Sequence, residues 1–318
     1  MQINLFHQTQ KDQLITGGGN VNHKSTTMRD RLFAVLRFFS FAAAIGLFLT
    51  GLHIVLSKIP ATASLLQQEE AGTLTASITL VIDSIGLLAV IGLSRFAAKI
   101  EERPLGAFGL PLRDAFGKRF ALGVIWGLIL ALLDIVCTYL LGGYSFGSFA
   151  LAPGKVLSYG AAWALAFIMV GLFEEFLFRG YALHSLTIGV GFWPAAILLS
   201  AIFGGLHLGN AGEGVVGALD VMLYGLFACF TLSRTGNLWF AVGLHSAWDF
   251  SLTFLYSVPG SGMHAKGQLL QAALHGPAWL TGGAAGPEGS VIGLAVLILS
   301  FPVFSALFPI APASGGRH

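Results

Sequence analysis

Long apolar runs separated by short polar segments dominate the pattern of this chain. A helix that spans a bilayer needs about 20 predominantly apolar residues, and eight runs reach or approach that length. They are residues 38–56, 74–93, 120–141, 156–183, 192–208, 215–232, 238–256 and 291–308. The pattern therefore predicts an all-α, polytopic transmembrane helix bundle of about eight spans. The fourth run is longer than a bilayer requires, so we expect it to tilt or protrude.

Composition supports the membrane assignment and excludes two other classes. Of the 318 residues, 55% are apolar and only 10% are charged, whereas a soluble domain carries about 25% charged residues. A formal net charge of +2 offers no basic surface for nucleic acid. The 42 glycines fit close helix packing, and the Gly123…Gly127 spacing predicts one such contact. Both cysteines lie inside apolar runs, so we expect neither a disulfide nor a cysteine metal site.

The positive charges of the loops predict the orientation of the bundle. With the N-terminus inside, fourteen of the seventeen Lys and Arg residues fall on the cytoplasmic side, which leaves Lys58, Lys155 and Lys266 outside. Cytoplasmic loops carry such an excess of positive charge. The distribution therefore predicts that both termini are cytoplasmic. The first 30 residues are polar and have no apolar core, so we expect no cleaved secretory signal.

The spans and loops divide the chain into four predicted parts. They are a cytoplasmic segment at 1–37, spans one to three with a basic cytoplasmic loop at 95–119 within 38–154, a catalytic core of spans four to seven at 155–256, and an outer loop with the last span at 257–318. No internal repeat is visible.

Ionisable residues inside the predicted spans are few, and such residues are costly and usually functional. They are Asp83, Asp134, Glu174, Glu175, Arg179, Asp220, Asp249, His53, His207 and His245. His53 lies near a membrane end. Asp83, Asp134 and Asp220 are isolated along the chain, and we interpret each as hydrogen-bonded to a neighbouring helix or protonated. Their roles stay open.

The remaining residues form three clusters on three predicted helices. The clusters are Glu174-Glu175…Arg179, Phe203…His207 and His245…Asp249. Glu175 and Arg179 are four residues apart and can pair on one helix face. Glu174 is then about 100° around the helix and free to point elsewhere. A structural ion pair between helices is the alternative, but that pair does not need the second carboxylate.

Depth along the helices allows the three clusters to meet inside the bundle. At a rise of about 1.5 Å per residue, Glu174, His207 and His245 reach overlapping depths. We therefore expect their side chains to converge in one cavity, with a carboxylate base, imidazoles as metal ligands or oxyanion donors, and an orienting Asp249. Counted from the helix ends, Glu174 and His245 lie nearer the cytoplasmic side, so we expect the cavity to open there.

The ordered set EExxxR, FxxxH and HxxxD resembles the CPBP family of intramembrane proteases, which includes CAAX prenyl endopeptidases and Abi-type bacterial proteins of bacteriocin processing and immunity. The motifs cover spans four to seven. The resemblance implies catalytic roles for Glu174, Glu175, His207, His245 and Asp249, with Arg179 and Phe203 in support. Asp249 stands where the CAAX branch has Asn, which leaves a transferred oxyanion role open.

By this resemblance the chain is an intramembrane glutamate-type (metallo)endopeptidase that hydrolyses membrane-associated peptides or proteins in a bacterial inner membrane. Glu174 with His207 activates water, and Arg179 holds Glu175. Zn²⁺ on Glu174, His207 and His245 and a metal-free glutamate mechanism both stay open. Alternatives are a proton- or ion-coupled transporter, which also places acids and histidines at mid-membrane, and a non-proteolytic immunity or scaffold member of the same family.

Overall fold

The computed structural model describes residues 27–309. Most of the predicted segment 1–37 and residues 310–318 lie outside the described part of the chain. The helices are α1 (Met28–Ser57), α2 (Pro60–Glu70), α3 (Ala76–Ile100), α4 (Lys118–Leu140), α5 (Pro153–Arg179), α6 (Tyr181–Val190), α7 (Phe192–His207), α8 (Val215–Thr235), α9 (Trp239–Asp249), α10 (Ala278–Thr281) and α11 (Val291–Leu307). A π-helical turn, Phe250–Leu255, continues α9. The prediction of a helical bundle is confirmed.

Five helical segments are long and apolar enough to cross a membrane, and they include α5 and α6 as one continuous stretch, Pro153–Val190. The predicted spans at 192–208 and 291–308 correspond to the shorter apolar helices α7 and α11. The predicted span at 238–256 corresponds to α9 and its π-helical extension, both short. The chain is therefore an integral membrane protein by length and composition. Residues 27–309 contain five candidate spans, and the predicted count of about eight stays a prediction.

Two groups of connecting segments mark the two ends of the bundle. We call segments 101–117, 180–191 and 235–238 the basic end, and segments 58–75, 141–152, 208–214 and 256–290 the strand end. At the basic end, the amide of Leu238 donates to the carbonyl of Gly109 over 2.7 Å. At the strand end, the side-chain amide of Asn210 donates from Nδ2 to the carbonyl of Ser261 over 2.9 Å.

Two small sheets stabilise the strand end. Strand β1 (Thr73–Leu74) pairs in parallel with β3 (His264–Ala265), in the register Thr73 to His264. Strand β2 (Tyr144–Ser145) pairs antiparallel with β4 (Ala273–Leu274), in the register Tyr144 to Leu274. The long Pro- and Gly-rich outer loop of the sequence is therefore tied to two earlier loops of the chain.

The apolar run of the predicted fourth span contains a break between two helices. Helix α5 ends at Arg179 because Gly180 leaves the helical conformation, with φ −82° and ψ −120°. A β-carbon at Gly180 would lie against the carbonyl and ring of Phe176. The chain then restarts as the separate helix α6, which the sequence interpretation had merged with α5.

Helix packing follows the glycines and the aromatic residues. Gly123 of α4 packs so closely on α9 that a β-carbon there would collide with the carbonyl of Phe240, which confirms the predicted contact. The largest apolar core lies toward the basic end and includes Phe108, Phe178 and Tyr181. These rings close that end of the bundle beneath the polar cluster of the interior.

Candidate active site

The two adjacent glutamates of α5 point to different surroundings. Their Cα–Cβ directions differ by about 100° on a helix, so Glu175 packs against α8 and α9, while Glu174 is partly exposed and, among the charged groups of the described residues, contacts only His245 of α9. The side chain of Glu175 is 0% exposed, and that of Glu174 is 24% exposed. The predicted division of this pair is therefore present in the structure.

Glu175 is held by three donors from three helices. Its Oε1 lies 3.4 Å from Nη1 of Arg179, 3.3 Å from the hydroxyl of Tyr224 and 3.0 Å from Nδ1 of His245. The other oxygen of Glu175 has no hydrogen-bond partner among the described residues. A buried carboxylate persists when it is paired and hydrogen-bonded, and these donors supply both. Glu175 thereby fixes the orientation of the His245 ring.

The second ring nitrogen of His245 faces two carboxylates. Nε2 lies 3.5 Å from Oε2 of Glu174 and 3.5 Å from Oδ2 of Asp249. Nδ1 donates to Glu175, so a proton on Nε2 as well gives the positively charged imidazolium ring. The carboxylates of Glu174 and Asp249 stabilise that charge. His245 therefore links the buried Glu175 to the partly exposed Glu174. Its contact with Asp249 is the one that the HxxxD spacing on one helix face predicts.

His207 occupies the last position of α7. Its Nδ1 donates to the carbonyl of Phe203 over 2.8 Å, one helical turn earlier. In the neutral ring this hydrogen bond leaves Nε2 as an acceptor. The Phe203 ring lies between the clusters, with centroid distances of 4.7 Å to the His207 ring and 6.4 Å to the His245 ring.

Arg179 packs against the same phenylalanine. Its guanidinium carbon lies 4.4 Å from the ring centroid of Phe203, a cation–π contact. A β-carbon at Gly225 of α8 would lie 2.5 Å from Nη2 of Arg179, so only glycine leaves room for the guanidinium. The EExxxR and FxxxH motifs thus meet directly through Arg179 and Phe203.

A cavity of about 200 Å³ contains the exposed part of this cluster. The predicted site residues that line it are Glu174, Phe203, His207, His245 and Asp249. Glu175 and Arg179 lie behind its wall. The three predicted clusters therefore come together at one cavity, with the second glutamate and the arginine in supporting positions.

The cavity extends toward the strand end. Loop residues of that end, among them Asn210, Ser261 and Glu288, line it, and no residue of the basic-end segments 101–117, 180–191 and 235–238 does. The cavity therefore extends away from the basic end, where the sequence predicts its opening, and which of the two ends is cytoplasmic stays a prediction. The aromatic core at the basic end fills the space there, whereas α7 ends at His207 and leaves room beyond it.

Two residues of the site carried no motif in the sequence. Tyr224 of α8 donates to Glu175, and Glu288 accepts from Nε1 of Trp248 over 2.7 Å while lining the cavity. The backbone amide and the hydroxyl of Ser261 also donate to Glu288. A lone acid directly before the last apolar run was the only signal for Glu288, and a lone tyrosine within an apolar run was the only one for Tyr224.

The three isolated aspartates have different surroundings. Asp83 and Asp220 line the cavity. Asp134 does not line it, and one of its carboxylate oxygens accepts from the hydroxyl of Thr138 over 3.3 Å. Thr138 is on the same helix, so this hydrogen bond does not reach a neighbouring helix, and the other predicted alternative for Asp134, a protonated carboxyl group, stays a prediction.

The positions of the possible ligand side chains bear on the predicted zinc site. Within residues 27–309, no three His, Cys, Asp or Glu side chains are placed to hold a metal ion. Among the predicted ligands, Nε2 of His245 lies against two carboxylates, and Nδ1 of His207 bonds to the backbone of its own helix. The predicted zinc ligands are therefore not gathered into one site among the described residues, and zinc on Glu174, His207 and His245 stays a prediction.

Comparison with known proteins agrees with the three motifs. The family described as Rce1-like, Type II CAAX prenyl endopeptidase Rce1-like, matches residues 156–251, the segment that holds all three. This match confirms the resemblance to CPBP and CAAX proteases and makes the protein similar to a family of membrane proteases. No curated protein and no solved structure matches the chain.

Proposed function

We propose that this protein is an intramembrane endopeptidase that uses Glu174 as a general base to hydrolyse peptide bonds of membrane-associated substrates. The observation that supports the proposal is the different placement of the two side chains in the Glu174-Glu175 dipeptide. Glu174 faces the cavity and His245, while Glu175 is buried and holds His245 from behind. A general base needs access to the water from which it takes a proton, and of the two only Glu174 has it.

The proposed reaction follows from the groups at the cavity. Glu174 accepts a proton from a water molecule, whose oxygen then bonds to the carbonyl carbon of the scissile peptide. Nε2 of His207 accepts a hydrogen bond from the same water and orients it. A proton on Nε2 of His245 stabilises the oxyanion that forms. The C–N bond then breaks, and Glu174 returns its proton to the leaving amine.

Asp249 and Arg179 act through other residues in this scheme. Asp249 contacts Nε2 of His245 and keeps that nitrogen directed into the cavity. Arg179 neutralises Glu175, so that Glu175 can orient His245 without an unpaired buried charge. Tyr224 adds a third hydrogen bond to the same oxygen of Glu175.

The test is cleavage of single-span peptides by purified protein in detergent, with cleavage sites located by mass spectrometry. We expect the unmodified protein to cleave and Glu174→Gln to be inactive, since glutamine keeps the volume but not the basic carboxylate. Loss of cleavage in EDTA and recovery with Zn²⁺ would support the predicted zinc site. CAAX-type substrates are tested by including prenylated and unprenylated forms of one peptide.

A further inference from the structure

The cavity is markedly acidic for a space inside a membrane protein. Six carboxylate side chains line it: Glu69, Asp83, Glu174, Asp220, Asp249 and Glu288. No lysine or arginine lines it, and His207 and His245 are the lining residues able to carry positive charge. Carboxylates within a membrane are costly and mark the path of a ligand or ion. The proposed hydrolysis uses only two of the six.

Asp220 is the clearest surplus group. It is 4% exposed, lines the cavity, and its Oδ1 has no hydrogen-bond partner among the described residues. The opposite wall of the cavity provides Thr79 of α3, whose hydroxyl is buried and also has no hydrogen-bond partner among the described residues. Buried polar groups are normally hydrogen-bonded, so both atoms are placed to receive a donor from a bound molecule.

The acids stand on opposite sides of the cavity. Glu69 of α2 and Asp83 of α3 belong to one wall, while Asp220 of α8 and Glu288 of the last loop belong to the other. The remaining lining is largely apolar, including Phe167 and Leu244. A ligand that fits this lining combines an apolar body with a positively charged group.

We infer that the cavity selects substrates that carry a cationic group, a lysine or arginine side chain or a free N-terminal amine, close to the scissile peptide bond, with Asp220 accepting from it. As a statement about substrates, this inference rests on the proposed function. An ammonium or guanidinium group brings the donors that Asp220 lacks, and charge-assisted hydrogen bonds are about twice as strong as neutral ones.

The experiment measures binding separately from cleavage. Fluorescein-labelled apolar peptides that differ only at one position, lysine, norleucine or glutamate, are titrated into the non-cleaving Glu174→Gln protein and followed by fluorescence polarisation. We expect the lysine peptide to bind about tenfold more tightly than the norleucine peptide, and the glutamate peptide to bind most weakly. Equal affinity for lysine and norleucine would overturn the inference without any mutation in the cavity acids.

Matched variants locate the acceptor. Asp220→Asn, made in the Glu174→Gln background, should abolish the preference for lysine, and Asp134→Asn should keep it. Asp134 is as buried as Asp220 and has one unpartnered oxygen, but it does not line the cavity. If both variants keep the preference, Asp220 is not the acceptor and this assignment fails.

Two further arms separate the sources of the charge and the two proposals. Acetylating the peptide N-terminus removes the terminal amine but keeps lysine. A loss of affinity on acetylation identifies the amine as the bound group, and a loss on replacing lysine by norleucine identifies the side chain. If the lysine preference in binding is present while the unmodified protein cleaves none of the peptides, the proposed hydrolysis fails and the cation site stands. If the unmodified protein cleaves the peptides and binding shows no preference for lysine, the proposed hydrolysis stands and the cation site fails.

Discussion

Two clusters of hydrogen-bonded side chains in this bundle contain the same four residue types but lie in different surroundings. Each is a glutamate that accepts hydrogen bonds from an arginine, a tyrosine and a histidine: Glu175 from Arg179, Tyr224 and His245, and Glu101 from Arg37, Tyr181 and His184. Each also belongs to a pair of adjacent glutamates. The Glu175 cluster lies at the cavity, and the Glu101 cluster lies at the basic end.

The second glutamate of each pair makes the difference. Glu174 faces the cavity at 3.5 Å from His245, whereas Glu102 follows the end of α3, has φ +52°, and is exposed to the surroundings. The Glu101 cluster ties α1 and α6 to the end of α3. A Glu–Arg–Tyr–His set therefore also occurs at a place where it connects helices, and the proposed catalysis additionally needs a second carboxylate beside the histidine in an enclosed space.

The largest expected contrast is in stability when the arginines are removed. Arg179→Met leaves Glu175 unpaired where both side chains are 0% exposed, and breaking a buried pair costs about 3–5 kcal/mol. The side chain of Arg37 is 37% exposed, and pairs near the surface contribute about 0–1 kcal/mol. Thermal unfolding in detergent should show a large fall for Arg179→Met and a small one for Arg37→Met. Equal falls would contradict the contrast.

The two tyrosines should separate activity from stability. Tyr224→Phe removes one donor from Glu175 and loosens His245, so we expect about a tenfold fall in kcat, equivalent to one hydrogen bond. Tyr181→Phe removes the corresponding donor from Glu101 and should leave kcat unchanged. Both should lower stability by about 1 kcal/mol. If peptide cleavage falls equally in both variants, the functional distinction between the clusters is lost.

The smallest contrast is a pH dependence of stability at the Glu101 cluster. Burial alone would raise the pKa of Glu101, but the hydrogen bond from His184 and the charge of Arg37 outweigh it and hold the pKa below 4.5. A carboxylate with a lowered pKa stabilises the fold above its unfolded value, and that contribution is lost as the pH falls through its folded value.

Unfolding measured at pH 7 and then below pH 4.5 checks this prediction. The unmodified protein should lose more stability on acidification than Glu101→Gln does, because the variant has no carboxylate to protonate there. Glu102→Gln is the control, since Glu102 is exposed, and it should follow the unmodified protein. A Glu101→Gln protein that loses as much stability as the unmodified one would refute the assignment.

Sequence periodicity and motif spacing predicted the helical class and the meeting of Glu174, His207 and His245 at one cavity. Both depend on local rules: apolar runs become helices, and residues four apart share a face. The break at Gly180 was missed because the apolar pattern continues through it. The direction of the cavity was missed because it depends on which end the aromatic side chains fill, a property of packing between distant segments.

The hydrogen-bond partners that come from distant parts of the chain were also not predicted from the sequence. Tyr224 and Glu288 reach the site across 49 and 40 residues of sequence from Glu175 and Trp248. Glu101 was read only as part of a basic loop, although it collects donors from α1 and α6. The local pattern placed the Glu174-Glu175 pair inside an apolar run and the Glu101-Glu102 pair in a basic loop. Nothing in that loop indicated that the side chain of Glu101 is buried.

The central claim is that Glu174 performs the chemistry and that a glutamate of the other pair does not. The most direct test is the initial rate of peptide cleavage by Glu174→Gln and Glu102→Gln proteins, each first shown to unfold at the temperature of the unmodified protein. We expect no measurable cleavage by Glu174→Gln and an unchanged rate for Glu102→Gln. Full cleavage by a folded Glu174→Gln protein would contradict that claim.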